Sequence, residues 1–240
     1  MPMTEFQEIW SYLTRDPLLW LTATLVAYAI GDSLFRASGR KPCVNPVLIA
    51  VTVLAGALAV TGTSYTDYFE GAKFVHFMLG PATVALAVPL FVNLSKVRKS
   101  AVPIIGALFA GSLTAIVTAL GIAYALGVRG QVLISLAPKS ATAPVAMGVS
   151  ESLGGSPTLT AVLVILTGII GAVVATPLLN LLRIKDWRAR GFATGVASHG
   201  IGTARALQVN ETAGAFAGLG MGLNAILTAI LAPFVVRLFF

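Results

Sequence analysis

The chain has 240 residues, of which 57% are hydrophobic and only 10% are charged, and its mean hydropathy is +0.89. Long apolar runs predict a helical membrane protein and exclude a β-barrel, which would show short segments of alternating hydrophobicity. The formal net charge of +7 does not indicate a nucleic-acid partner, because the basic residues cluster at the ends of apolar runs. The single cysteine, Cys43, excludes an internal disulfide framework and a multi-cysteine metal site.

Six apolar runs are long enough to cross a bilayer or nearly so. They are residues 17–35, 44–62, 74–94, 102–126, 158–182 and 213–236. A polar, acidic loop at residues 64–72 separates the second run from the third. The first 16 residues lack the basic lead and short apolar core of a cleavable signal peptide, so we expect them to remain attached.

Three loops between these runs hold ten of the 16 Lys and Arg residues: Arg36, Arg40, Lys41, Lys96, Arg98, Lys99, Arg183, Lys185, Arg188 and Arg190. Positive residues mark cytoplasmic loops, so all three loops are predicted inside. The acidic N-terminus and the acidic 64–72 loop are then predicted outside. These assignments let the first four runs alternate across the membrane.

Two irregular stretches interrupt the remaining runs. The turn at residues 127–131 is predicted outside and the basic loop at 183–190 inside, so one crossing between them suffices. Residues 132–153 are therefore predicted to enter and leave from the outside, as two half-helices tipped by Pro138 and Pro144, which forbid one regular helix. Residues 191–207 become a re-entrant element from the inside. The alternative is that one basic loop violates the rule and these stretches cross fully.

The 102–126 span, the outer hairpin and the 158–182 span form one predicted unit. The 158–182 span, the inner hairpin and the 213–236 span form its inverted copy. Hairpins that enter from opposite faces and meet near the midplane occur in secondary transporters. The predicted fold class is an all-α integral membrane protein, a multi-span helical bundle with discontinuous, re-entrant helices in inverted repeats. We expect one membrane domain, with residues 1–100 as scaffold and oligomerisation spans and residues 101–240 as the hairpin-bearing transport part.

The first irregular stretch places polar and charged residues within an apolar chain. A charge at the bilayer centre costs roughly 2.5–3.5 kcal/mol on insertion scales, so a charged residue there is expected to be functional. Lys139 is therefore predicted to bind an anion. Ser140 and Thr142 add hydroxyl groups for substrate binding. Glu151 faces outer water, pairs with Lys139 or takes part in proton or cation coupling. The alternative for Lys139 is that it extends to the interface.

The second irregular stretch joins a histidine and a cation to glycines that let the backbone bend. Its candidates for substrate binding are Ser198, His199, Gly200, Gly202, Thr203 and Arg205. Histidine titrates near neutral pH, so His199 is also a candidate for proton coupling. The alternatives are a neutral His199 bonded to a carbonyl and an Arg205 that reaches the inner surface.

Two amides within apolar runs, Asn93 and Asn224, are candidates for substrate binding or for polar contacts between helices. The sequence contains no nucleotide-binding loop, zinc motif or G-x-S-x-G elbow. We therefore expect no enzyme activity, no cofactor and no metal site.

Residues 137–147, APKSATAPVAM, and residues 197–206, ASHGIGTARA, resemble the signature segments of the LrgB/CidB family of antiholin-like membrane proteins. Related domains form the C-terminal half of the plant plastid glycolate/glycerate translocator. The resemblance implies transport of a small carboxylate, and a separate holin-like membrane partner of the LrgA/CidA type. It also implies an alternative role in controlling murein hydrolase export and autolysis.

The residues and the resemblance together predict a secondary transporter of small organic anions such as glycolate, glycerate or pyruvate, with protons as the candidate coupling ion. The first alternative is an antiholin-like regulatory or pore-forming subunit that controls murein hydrolase export and autolysis. A purely structural partner of the holin-like protein is a further alternative. We expect a multi-pass protein in the lipid bilayer of the bacterial inner membrane, with its N-terminus outside, and a homo-oligomer, with a dimer favoured.

Overall fold

The structure is a computed structural model that describes residues 16–78, 81, 84, 85, 88, 91 and 94–239. Every regular element in these residues is a helix, and four of the helices are long and apolar enough to cross a membrane. This confirms the predicted helical membrane fold. The chain divides after Ala85 into two compact units. The roles predicted for residues 1–100 and 101–240 stay a prediction.

The described part of the first unit includes helices α1 (Pro17–Ala37), α2 (Pro46–Thr61) and α3 (Tyr65–Phe77). Side chains cap the first two, since Asp16 accepts a hydrogen bond from the Leu18 amide, and Asn45 accepts from the amides of Val47 and Leu48. Each helix then begins with a proline, whose fixed φ suits the first helical position. These signals set where both helices begin.

Helix α3 corrects the prediction of a polar loop at residues 64–72. Ser64 accepts a hydrogen bond from the Asp67 amide at 3.1 Å and donates to the Asp67 carboxylate at 2.7 Å, as a helix-capping residue does. Tyr68 then packs on α1, where its hydroxyl lies 3.2 Å from Thr24 Oγ1. Sequence polarity indicated a loop, but the cap and this contact favour a helix. Ten of the 21 residues of the predicted span at 74–94, Asn93 among them, lie outside the described residues.

The described part of the second unit includes the short helix α4 (Leu94–Lys99) and the predicted span α5 (Ala101–Ala125). The first irregular stretch forms helices α6 (Gly130–Leu136) and α7 (Ala143–Ser152), with 7 and 10 residues. At 1.5 Å per residue these helices are about 10 and 15 Å long, too short to cross a hydrocarbon core of roughly 30 Å. They are the two half-helices that the prolines predicted.

Helices α8 (Pro157–Leu181), α9 (Trp187–Val209) and α10 (Glu211–Val236) complete the unit. Helix α9 is interrupted at His199, where φ is 40° and ψ is −134°. This interruption divides α9 into a first half, before His199, and a second half, after it. The backbone is therefore helical on both sides of His199, and the chain changes direction at this residue.

Close packing shows how the two halves of α9 run against α10. A methyl group at Gly191 would lie 2.0 Å from the Ala213 carbonyl oxygen, and one at Gly195 would lie 2.0 Å from that of Ala217. A step of four residues along α9, from Gly191 to Gly195, matches a step of four residues along α10, from Ala213 to Ala217. The first half of α9 therefore runs parallel to α10. The second half returns, because Leu207 lies against Gly214 near the start of α10. Both ends of α9 therefore lie at one end of α10, as in the predicted re-entrant element.

Candidate functional site

The base of the first hairpin, formed by α6 and α7, is fixed to the start of α8 by buried hydroxyl groups. The Ser156 amide donates to Ser135 Oγ at 2.8 Å. Thr160 Oγ1 lies 3.0 Å from the Ser135 carbonyl oxygen and 2.7 Å from Ser150 Oγ. These bonds join α6, α7 and α8 at the end of the unit where α8 begins.

The tip of the first hairpin is held by Asn224, which lies near the middle of α10. Asn224 Nδ2 donates to the Ser140 carbonyl oxygen at 3.0 Å. Its Oδ1 accepts from Ser112 Oγ at 2.6 Å and from Thr228 Oγ1 at 3.3 Å. Ser112 lies near the middle of α5, so Asn224 joins the tip to the middle of α10 and is itself bonded to the middle of α5. The Asn224 side chain therefore positions the hairpin, and its role in substrate binding stays a prediction.

The tip of the second hairpin, formed by the two halves of α9, rests on glycines near the middle of α8. A methyl group at Gly168 would lie 2.6 Å from His199 Cε1, and one at Gly171 would lie 1.7 Å from Ser198 Oγ. His199 Nε2 lies 2.9 Å from the Val164 carbonyl oxygen. A carbonyl oxygen can only accept, so Nε2 carries the hydrogen and Nδ1 is the nitrogen left to gain a proton.

The two tips meet on the same part of α8. Ala141 and Ala146 of the first hairpin pack against Val164, whose carbonyl oxygen bonds His199 of the second hairpin. Lys139 of the first hairpin and Ser198 of the second line one cavity. The hairpins enter from opposite ends of α8 and end near its middle. This is the arrangement in which transporters place a binding site.

A cavity of about 480 Å³ lies beside the meeting point and brings together Lys139 and Ser198. It is formed between α8 and the first half of α9, and its size falls in the range of small-molecule sites. Lys139 is partly buried and its ammonium lies 3.4 Å from Ser140 Oγ. Ser198 is buried, and its hydroxyl has no hydrogen-bond partner among the residues described. The cavity thus combines a cation, a free hydroxyl and apolar walls.

Other candidate residues lie near the tips in different roles. Thr203 Oγ1 donates to the His199 carbonyl oxygen at 2.8 Å, so it supports the break in α9. Gly202 packs so closely that a methyl group there would lie 2.5 Å from Ser198 Cβ. Gly200 is exposed next to the break, and Thr142 precedes α7 without capping it through its side chain.

Arg205 and Glu151 are not brought to the cavity that Lys139 lines. Arg205 follows His199 by six residues, about 9 Å along a helix, and lines a separate cavity of about 20 Å³ with Arg190 and Trp187. Glu151 is exposed at the far end of α7, eight residues or about 12 Å from its start. Lys139 and Arg205 therefore line different cavities, and the part of Arg205 in substrate binding stays a prediction.

Sequence reasoning missed the contributions of the long helices. Ser112, Gly168 and Gly171 lie within α5 and α8, which read as uninterrupted spans. Their signal was the presence of small and polar residues at mid-span, where they allow close approach of another backbone. Only the folded chain shows that the hairpin tips approach there.

The chain matches the model of the LrgB-like family over residues 24–238. It belongs to that family. It is 37% identical to protein YxaC of Bacillus subtilis, over 92% of this chain and 96% of that protein. It is also similar to proteins named Holin-like protein CidB, with 33% identity to that of Staphylococcus epidermidis and 34% to that of Staphylococcus aureus. Those matches cover 93% of this chain and 97% of each relative.

No solved structure matches this chain. Family membership confirms the resemblance carried by the motifs at residues 137–147 and 197–206. The apolar helices and the holin-like names of the relatives together identify a multi-pass membrane protein.

Proposed function

We propose that this LrgB-like protein is a secondary transporter of small organic anions, such as glycolate, glycerate or pyruvate. The observation that carries the proposal is the meeting of two hairpins, from opposite ends of α8, beside a cavity lined by Lys139 and Ser198. A cation within a membrane-spanning segment is costly, and such residues mark substrate and ion pathways. The site lies at mid-length of the long helices, where access from either side can alternate.

The backbone of the hairpins supports binding of negative charge. Helix α7 begins at Ala143, directly after the first tip, and the second half of α9 begins after His199. Helix N-termini carry a partial positive charge and free amide groups. We propose that Lys139 provides the full charge that binds the carboxylate and that these two helix starts add to the positive potential.

Coupling to protons is part of the proposal, with His199 as the group that gains the proton. Its Nε2 is held by the Val164 carbonyl oxygen, so protonation would occur at Nδ1 without loss of that bond. Glu151 lies away from both tips. It is a less suitable coupling group, because its proton could not affect the cavity directly.

The surroundings of the protein also belong to the proposal. We place it in the inner membrane with its N-terminus outside, because ten of its basic residues lie in three alternate loops. We propose that it acts as a homo-oligomer, with a dimer favoured, and beside a separate holin-like membrane protein of the LrgA/CidA type.

Uptake into proteoliposomes tests the proposal. The purified protein is reconstituted, and entry of labelled glycolate or pyruvate is measured with and without unlabelled substrate inside. We expect saturable uptake that internal substrate stimulates, and its loss in Lys139→Ala. Lys185→Ala is the matched control, because Lys185 is an exposed lysine of the basic loop. Unchanged uptake in Lys139→Ala would remove Lys139 from the account.

A second candidate function is an antiholin-like regulatory or pore-forming subunit that controls murein hydrolase export and autolysis. It is favoured by the relatives named Holin-like protein CidB, which match nearly the whole chain at 33–34% identity. The same proteoliposomes distinguish the two. A pore-forming protein would give flux proportional to concentration, with no stimulation by internal substrate.

A further inference from the structure

The base of the second hairpin places two arginines in the wall of one small cavity. Arg190 belongs to the first half of α9 and Arg205 to the second half, and both line the cavity of about 20 Å³ next to Ala213, near the start of α10. Two positive charges in one cavity repel each other, and this repulsion is stronger away from bulk water. The hairpin nevertheless brings the two arginines together.

The guanidinium of Arg190 is buried with most of its donors unused. Arg190 is 9% exposed, and one of its five N–H groups donates to the Ile184 carbonyl oxygen at 2.8 Å. Its central carbon lies 5.0 Å from the centre of the Trp187 ring, which gives a further, weaker contact. Within the described part of the chain, Arg190 forms no ion pair. A buried cation generally needs an opposite charge, and this one has none among those residues.

Helix α8 adds a hydroxyl donor to the same wall. Thr176 lines the cavity, and its Oγ1 makes no hydrogen bond to any residue that the structure describes. Thr194 also lines the cavity, but its Oγ1 already donates to the Arg190 carbonyl oxygen at 2.8 Å. A hydroxyl has one hydrogen, so Thr176 and not Thr194 can donate to a ligand here.

The charge and the size of the cavity define its ligand. No acidic side chain of the described residues lines it, since Asp186 is paired with Arg188 and Glu211 is exposed. A volume of about 20 Å³ is room for one water-sized particle, because a buried water needs roughly 10–15 Å³ by the same measure. A halide ion fits this space, whereas a whole organic acid does not.

We propose that the base of the second hairpin binds one halide-sized anion, such as chloride. Arg190 and Arg205 provide positive charge from the two halves of α9, and Thr176 Oγ1 donates a hydrogen bond from α8. The anion offsets the repulsion between the arginines and so stabilises the closed base of the hairpin. The site is distinct from the cavity that Lys139 lines, and its ligand stays bound whether or not the protein transports carboxylates.

Thermal unfolding of the full-length protein in detergent tests this site. Chloride replaces gluconate at constant ionic strength, because gluconate is larger than the cavity. A ligand that binds the folded state and is present at about ten times its Kd raises the Tm by roughly 3–6 °C, and the rise saturates. Arg190→Gln should abolish this rise. Thr176→Val removes one hydrogen bond and should raise the midpoint chloride concentration about fivefold to tenfold.

Arg98→Gln is the matched control, since Arg98 is exposed on α4, and it should keep the wild-type rise. If Arg190→Gln does not fold, Arg190→Lys keeps the charge without the planar donors and should raise the midpoint chloride concentration instead. An equal rise in the wild type and in Arg190→Gln would be a general effect of salt and would overturn the proposal. A rise produced by pyruvate and not by chloride would also overturn it, because the ligand would then be an organic acid.

No rise in the wild type would refute the site outright.

Discussion

Replacement of Asn224 by Ala should destabilise the protein by releasing the first hairpin from the middle of the bundle. Asn224 is 1% exposed and bonds the Ser140 carbonyl oxygen, Ser112 Oγ and Thr228 Oγ1. Each hydrogen bond between membrane helices contributes about 0.6–1 kcal/mol, so the two bonds that leave α10, to Ser140 and Ser112, amount to about 1–2 kcal/mol. At about 2–4 °C per kcal/mol, the Tm should fall by roughly 2–8 °C.

The assay is thermal unfolding of the purified protein in detergent, followed by circular dichroism. Asn180→Ala is the matched control, because Asn180 is an exposed amide near the end of α8 and should lower the Tm little. Asn224→Asp keeps an acceptor for Ser112 and Thr228 but loses the donor to Ser140. If Asn224→Ala unfolds at the wild-type temperature, Asn224 does not hold the hairpin, and its assignment as a positioning residue is refuted.

Three further predictions concern the second hairpin. His199 has a positive φ of 40°, so His199→Gly should unfold at a higher temperature than His199→Ala, by about 1–3 kcal/mol in unfolding free energy; equal Tm values would contradict the strain. Gly195→Ala forces a methyl group against α10 and should cost about 1–3 kcal/mol, whereas Gly106→Ala meets open space and should not lower the Tm. The hydrogen bond from Arg188 lowers the pKa of the Asp186 carboxyl, which caps α9. The ionised Asp186 carboxylate therefore stabilises the folded protein at pH values above its unfolded pKa, and this stabilisation is lost as pH falls through the pKa of the folded state. The Tm of Asp186→Asn should depend less on pH below about 4 than the Tm of the wild type.

Proline placement and the charge of the loops were sufficient to predict the two hairpins. Pro138 and Pro144 forbid one regular helix, and α6 and α7 end and begin around them. The positive charge of three loops placed them on the same side of the membrane, so both irregular stretches had to return to the side from which they entered. Both signals can be recognised in the sequence without knowledge of tertiary contacts.

The contacts between hairpins could not be predicted in this way. Asn224 looked equally suited to substrate and to helix packing, because an amide in an apolar run has no local partner to decide between them. The fold places it beside Ser140, 84 residues earlier in the chain, and beside Ser112. The position of Arg205 could not be predicted either, since its sequence proximity to His199 concealed a distance of about 9 Å along the helix.

Cross-linking of the two tips is the most direct measurement. Cys43, which is exposed, is first replaced by Ser, and Lys139→Cys is then combined with Ser198→Cys. Because both positions line one cavity, a short bifunctional maleimide should join them in native membranes, and Glu151→Cys with Ser198→Cys should remain unlinked. If neither pair is linked, and impermeant maleimides label positions 139 and 198 from opposite sides of the membrane, the hairpins do not meet.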